Sequence, residues 1–144
     1  MCDEFTKWNI PHQAICFEIT ETAAIANLDK AKDLMRELRS RGCGFALDDF
    51  GSGMSSFGYL KHLPVDHLKI DGAFVRGIAQ DPIDRAMVEA INKVGHLMSI
   101  TTIAECVETP HTLAVLNDIG VDYAQGFAIA RPTPYIVPHH FHIG

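Results

Sequence analysis

Two adjacent carboxylates, Asp48 and Asp49, close the apolar run "GFALDD" (44–49), and the small-residue stretch "GSGMSS" (51–56) comes soon after. Like charges side by side at the end of a buried segment repel, and burial worsens the repulsion, so the pair needs a neutralising cation. Carboxylate oxygens are hard ligands that suit Mg²⁺ or Mn²⁺. One carboxylate bridging two metals, with its neighbour completing the second, would suit in-line displacement at phosphorus. Other apolar runs end alike: Glu18 with Glu21, Lys69 with Asp71, Glu105 with Glu108, and Gln125. Lys69 reads as a group that steadies a phosphate or a nucleophilic water, or as the salt-bridge partner of a neighbouring acid. Glycines 51 and 53 permit close approach of a ligand, as a phosphate cradle, or simply make an ordinary turn. The lysine-containing nucleotide P-loop pattern is absent.

The elements that must hold these groups follow from periodicity. Short β-rich apolar runs at 14–19, 44–49, 65–70, 99–105 and 121–129 predict five strands. Between them, "IANLDKAKDLMRELRSRG" (25–42) predicts a helix with Leu28, Ala31, Leu34, Met35 and Leu38 on one face and Gly42 as its stop. A shorter helix is expected over 55–63. The clearest spans 81–98, capped by Asp81 with Pro82 at its first position and a core stripe of Ile83, Met87, Ile91, Val94 and Leu97. Another spans 109–120, between Thr109–Pro110 and Gly120. Near-continuously apolar strands alternating with helices predict an α/β fold with about five parallel strands. Right-handed crossovers then bring all the strand C-termini, and all the polar groups above, to one rim. On a regular strand Asp48 and Asp49 point to opposite faces, so the strand must lose its regularity for both to reach one site.

Bulk properties narrow the partners. The chain has 144 residues, 47% hydrophobic and 21% charged, with a net charge of −6, which argues against a DNA or RNA polymer as ligand. The four cysteines form no C-x-x-C pair, and Cys16 and Cys43 read as buried thiols in a reducing cytoplasm. Neither a signal peptide nor an apolar run long enough to span a bilayer is seen, so no direct membrane insertion is expected, although a parent protein could be membrane-anchored. The histidines of "PHHFHIG" (138–144), His139, His140 and His142, lie in a Pro-rich tail (133–144) read as loop or disorder.

In series, "FEITET" (17–22), "LDDFGSGMSSFGYL" (47–60), "LKIDGAFV" (68–75), "IAECVET" (103–109) and "DYAQGFAIARP" (122–132) resemble successive motifs of the EAL family of cyclic di-GMP phosphodiesterases. The resemblance covers residues 14–132, with 1–13 as a lead-in. It implies a (β/α)₈ TIM-type barrel, here partial, with two Mg²⁺ or Mn²⁺ ions, that hydrolyses cyclic di-GMP to pGpG. Carried over motif by motif, Glu18, Asp48, Asp49 and Glu105 are metal ligands and Asp48 is shared. Lys69 orients the hydrolytic water and, with Glu105, does the catalytic work. Glu108 holds the glycine-containing loop after Asp49, and Gln125 lies in the site near the water.

The sequence also departs from the family. The Glu-Ala-Leu strand and the segment that supplies an Asn ligand are absent, Cys106 replaces a usual Gly, and Met54 stands where an aromatic is common. A five-strand portion is expected to present an open edge, with Phe17, Ile19, Phe45 and Leu47 facing an unfilled interior. This points to a homodimer or to docking with the missing N-terminal half of the barrel. It also makes the portion inactive alone, whether a gene fragment or the product of an alternative start. The alternative is a degenerate module that binds cyclic di-GMP or another protein without catalysis.

Overall fold

The computed structural model describes residues 2–52 and 57–133. Strands run over Cys16–Thr20 (β1), Gly44–Phe50 (β2), His67–Ile70 (β3), Thr101–Ala104 (β4) and Tyr123–Ala124 (β5). Helices run over Cys2–Lys7 (α1), Glu21–Ala26 (α2), Leu28–Ser40 (α3), Gly72–Gly77 (α4), Pro82–Leu97 (α5) and Pro110–Ile119 (α6), with 3₁₀ turns at His12–Ala14 and Phe57–His62. The strands form one parallel sheet in the order β1-β2-β3-β4-β5. A right-handed winding that never reverses direction puts every crossover helix on the same face of the sheet. The other face is left bare, which is the wall of a TIM-type barrel rather than a doubly wound sheet. Among the described residues no helix is long and apolar enough to cross a membrane.

The core lies between sheet and helices. Phe45 and Leu47 are buried there with Met35 and Leu38 of α3, and Phe17 stacks on Phe45 with ring centroids 5.7 Å apart. This corrects the expectation that Phe17, Ile19, Phe45 and Leu47 face the barrel interior. Side chains alternate along a strand, and Glu18 and Asp48 take the bare face, so their neighbours take the helix-covered one. Cys16 shares the bare face of β1 and is exposed, whereas Cys43 is buried. Only half of the expected buried thiol pair is therefore found.

Three helical expectations change. The segment expected as one helix over 25–42 lies in two, because Asn27 leaves helical geometry and caps the second by accepting the N–H of Lys30 at 3.2 Å. Leu34 points outward at 53% exposure, and Gly42 ends the run with φ +102°. In α5, Asp81 caps Ile83 as expected, but Ile83 and Leu97 are 73% and 77% exposed. Val88, Asn92 and Gly95 join the expected Ile91 in the buried stripe. Gly95 explains the rotation: a Cβ there would come within 2.9 Å of Thr102, so this is the face that approaches the sheet most closely. The segment expected as a helix over 55–63 is a 3₁₀ turn from Phe57, α1 and α4 arise in stretches to which no element was assigned, and the strand expected over 121–129 pairs for two residues only. The tail histidines lie outside the described residues.

Candidate active site

Glu18 sits in the middle of β1, Asp48 and Asp49 near the end of β2, Lys69 in β3 and Glu105 just past β4. Parallel winding gathers them at the C-terminal rim of the sheet. The Lys69 ammonium is buried and lies 2.9 Å from Glu105, 3.1 Å from Glu18 and 3.2 Å from Asp48. Three strands besides its own thus converge on one nitrogen. Burial alone would depress its pKa, but the hydrogen bonds it donates to Glu105, Glu18 and Asp48 outweigh that and hold it above the ordinary lysine value, so it stays charged at neutral pH.

The Asp48–Asp49 pair is resolved by an irregular backbone. Leu47 pairs with Leu68 but Phe50 pairs with Ile70, so β2 holds one residue more than β3 over this interval. Asp49 takes φ +53° within this bulge. A bulge re-aims side chains that a flat strand would send to opposite faces. One carboxylate oxygen from each of Asp48, Asp49 and Glu105 lies within 4.8 Å of the others. That set of hard oxygen donors fits a divalent cation such as Mg²⁺ or Mn²⁺. Burial, then the neighbouring Asp48 and Asp71, pushes the Asp49 carboxyl above its usual range. Burial raises Glu105 as well, against the opposing pull of Lys69. Both directions are what a cation in this position would relieve.

The remaining rim residues fall around a cleft of about 260 Å³ just past the ends of β4 and β5, lined by Glu105, Cys106, Glu108, Gln125 and Phe127. Glu108 accepts from Arg76 Nε of α4 at 3.1 Å. Gly126 follows Gln125 because the chain passes against Val107: a Cβ there would come within 2.3 Å of the Val107 N and O. Asp71 is used locally, capping α4 by accepting the N–H of Ala73 at 2.9 Å. The resemblance gives the loop anchor to Glu108, yet the Gly51 N–H donates to Glu21 Oε2 at 3.0 Å, and Tyr59 donates its hydroxyl to Glu21 Oε1. Glu21 is a buried carboxylate, and the sequence placed it at the rim beside Glu18 without assigning it a role. Its only signal was a second glutamate three positions after Glu18.

This geometry has close counterparts. The EAL domain family matches residues 1–132. The chain belongs to the EAL domain family. It is 51% identical over 127 residues to the cyclic di-GMP phosphodiesterase PdeB of Shewanella oneidensis, an alignment covering 88% of this chain and 15% of PdeB. The solved PaMucR phosphodiesterase in complex with c-di-GMP superposes with a TM-score of 0.88 at 34% identity, covering 93% of this chain and 54% of that one. The manganese and cyclic-di-GMP complex of BlrP1 from Klebsiella pneumoniae gives 0.82 at 30% identity, covering 88% and 32%. The chain therefore spans about half of a solved EAL structure and a much smaller share of the curated phosphodiesterase. EAL phosphodiesterases are metal-dependent, and the Asp48, Asp49 and Glu105 oxygens supply the donor type such metals take.

Proposed function

We propose that this EAL chain forms the metal-binding half of a cyclic di-GMP phosphodiesterase site, one that opens the dinucleotide to pGpG with water. The observation that carries the reading is the convergence of Glu18, Asp48 and Glu105 on buried Lys69, with Asp49 beside them at the same rim. Glu18, Asp48, Asp49 and Glu105 would hold two Mg²⁺ or Mn²⁺ ions. Bound there, the ions supply charge neutralisation at the phosphodiester and a more acidic water.

The chain's own groups do the rest. Lys69, kept protonated by its three carboxylates, donates a hydrogen bond that aims the attacking water. Glu105, whose carboxyl burial pushes upward, accepts that water's proton as the water oxygen bonds to phosphorus, and the ribose oxygen leaves and takes up a proton from solvent. Gln125 offers its amide to the water and substrate from the cleft wall. Glu108, tied to Arg76, shapes the same wall, and Glu21 holds the loop that begins at Gly51. Residues 14–132 carry these elements, with 1–13 as lead-in and 133–144 as tail. Further barrel strands, from the parent protein or from a second copy, complete the substrate's enclosure along β1 and β5. A reducing cytoplasm suits free Cys16, Cys43 and Cys106.

Incubating the parent protein, which supplies the remaining barrel strands, with cyclic di-GMP and Mn²⁺, and following pGpG by chromatography, tests the proposal. Release that Asp48→Asn lowers by about a hundredfold or more supports it, since a ligand and a Lys69 contact are lost together. Equal turnover by the variant overturns it.

A further inference from the structure

At the end of the sheet opposite the acidic rim, one construction occurs twice. Asp66 stands just before β3 and Asp122 just before β5, each after a valine. The Asp66 carboxylate accepts the backbone N–H of Phe45, second residue of β2, at 2.9 Å, and Nη1 of Arg39 on α3 at 2.8 Å. The Asp122 carboxylate accepts the backbone N–H of Thr102, second residue of β4, at 2.8 Å, and meets Nε2 of His96 on α5 at 2.8 Å. In both cases the basic residue precedes the N–H donor by six positions. In both cases the aspartate precedes by three positions a polar residue of the rim: Lys69 in one, Gln125 in the other. No aspartate stands directly ahead of β1, β2 or β4, the strands that bring the carboxylates.

The physical need for such a device is clearest at β5. Its ladder is only Ile103 with Tyr123 and Ala104 with Ala124. A slip of one residue would turn every side chain to the other face, and two pairs resist a slip poorly. A charge-assisted bond to a partly buried N–H fixes the height of the strand at its start. The Asp122 clasp extends further. Thr102 Oγ1 lies 2.6 Å from Asn92 Oδ1 and 3.1 Å from Asp122 Oδ2, with one proton for the two. Asn92 Nδ2 reaches the carbonyls of Ile119 and Gly120 at 3.4 and 3.3 Å, which ties α5, β4, the end of α6 and β5 together.

We infer that Asp66 and Asp122 are positioning residues, each holding its strand at the height that delivers Lys69 or Gln125 to the rim. The importance of that delivery rests on the phosphodiesterase reading; the clasps themselves do not.

Amide hydrogen exchange on the full chain tests this, comparing wild type with Asp66→Ala, Asp66→Asn, Asp122→Ala and Asp122→Asn at a temperature where circular dichroism shows each folded. Asp122→Ala is expected to speed exchange at Thr102, Gln125 and Val107 by about tenfold or more while leaving Phe45 near its wild-type rate, as loss of one charge-assisted bond opens one local unit. Asp66→Ala is expected to do the converse. Asparagine, whose amide oxygen accepts the same N–H, is expected to restore most of the protection. The inference is overturned if Gln125 and Val107 exchange unchanged in Asp122→Ala, if all amides speed up together, or if asparagine is no better than alanine. Should an alanine variant fail to fold, the asparagine variant decides: it must keep Gln125 protected while the imidazole ¹⁵N shifts of His96 move. Failure of the parent protein to release pGpG would remove the functional reading and leave these results standing.

Discussion

Lys69 is the residue on which the rim depends. Remove its charge and three carboxylates are left facing one another with no cation of the protein's own. Lys69→Met is expected to destabilise the chain by about 3–5 kcal/mol, toward the lower figure because Glu18 is half exposed. Urea denaturation without divalent ions measures it, and a change below about 1 kcal/mol would contradict the picture. Added Mn²⁺ should recover part of the loss by binding the folded form. The rim was legible because each polar group stood where an apolar run stopped. The role of Glu21 was not, because its partners Gly51 and Tyr59 lie 30 and 38 residues away and only the fold brings them together. The bulge at Asp49 was legible as a necessity but not as a conformation: two carboxylates needed one site, and nothing in the letters said that a left-handed residue would provide it.

Elements were read well wherever capping and stop signals were strong. Asp81–Pro82 and Thr109–Pro110 start α5 and α6 as expected, and Gly120 ends α6 with φ +85°. The face of α5 was misread because apolar counting favours Ile83 and Leu97 over Asn92 and Gly95. A glycine admits the closest approach and an asparagine finds buried partners, so the helix turns toward them. The Asp122 clasp has a pH signature. Burial tends to raise its carboxyl, but the Thr102 N–H, His96 and the Thr102 hydroxyl outweigh that and set it below the ordinary aspartate value. A carboxyl depressed in the fold contributes stability that is fully present above its unfolded pKa and lost as pH falls through the folded one. The stability difference between wild type and Asp122→Asn should therefore shrink as pH falls from about 5 toward 3. A difference that grows over that acid range would reverse the assignment.

At the scale of the molecule, sequential strand order decides everything else. It covers one sheet face with helices and leaves the other to the acidic rim. The alternation of strand and helix made this winding legible, though not which alternate residues of β1 and β2 would lie beneath the helices. Neither β1 nor β5 has a further strand partner among the described residues. Exposed Tyr123 and Phe127 lie on or near β5. Unpaired edges of this kind recruit other strands. Sedimentation is expected to show association that rises with protein concentration; a single monomeric species from micromolar to millimolar would argue that the edges are already protected.

Position 106 marks where this sequence gives up robustness for a side chain. Cys106 holds φ +56°, and its sulfur lies where a Cβ on Gly72 would come within 2.5 Å. A left-handed turn of the chain is imposed there on a residue with a β-carbon, at about 1–2 kcal/mol. Glycine would adopt the same turn without that penalty, so Cys106→Gly should raise the melting temperature despite losing a packed thiol. Natural sequence drift at 106 would be expected to run toward glycine, and Gly72 would then be free to enlarge.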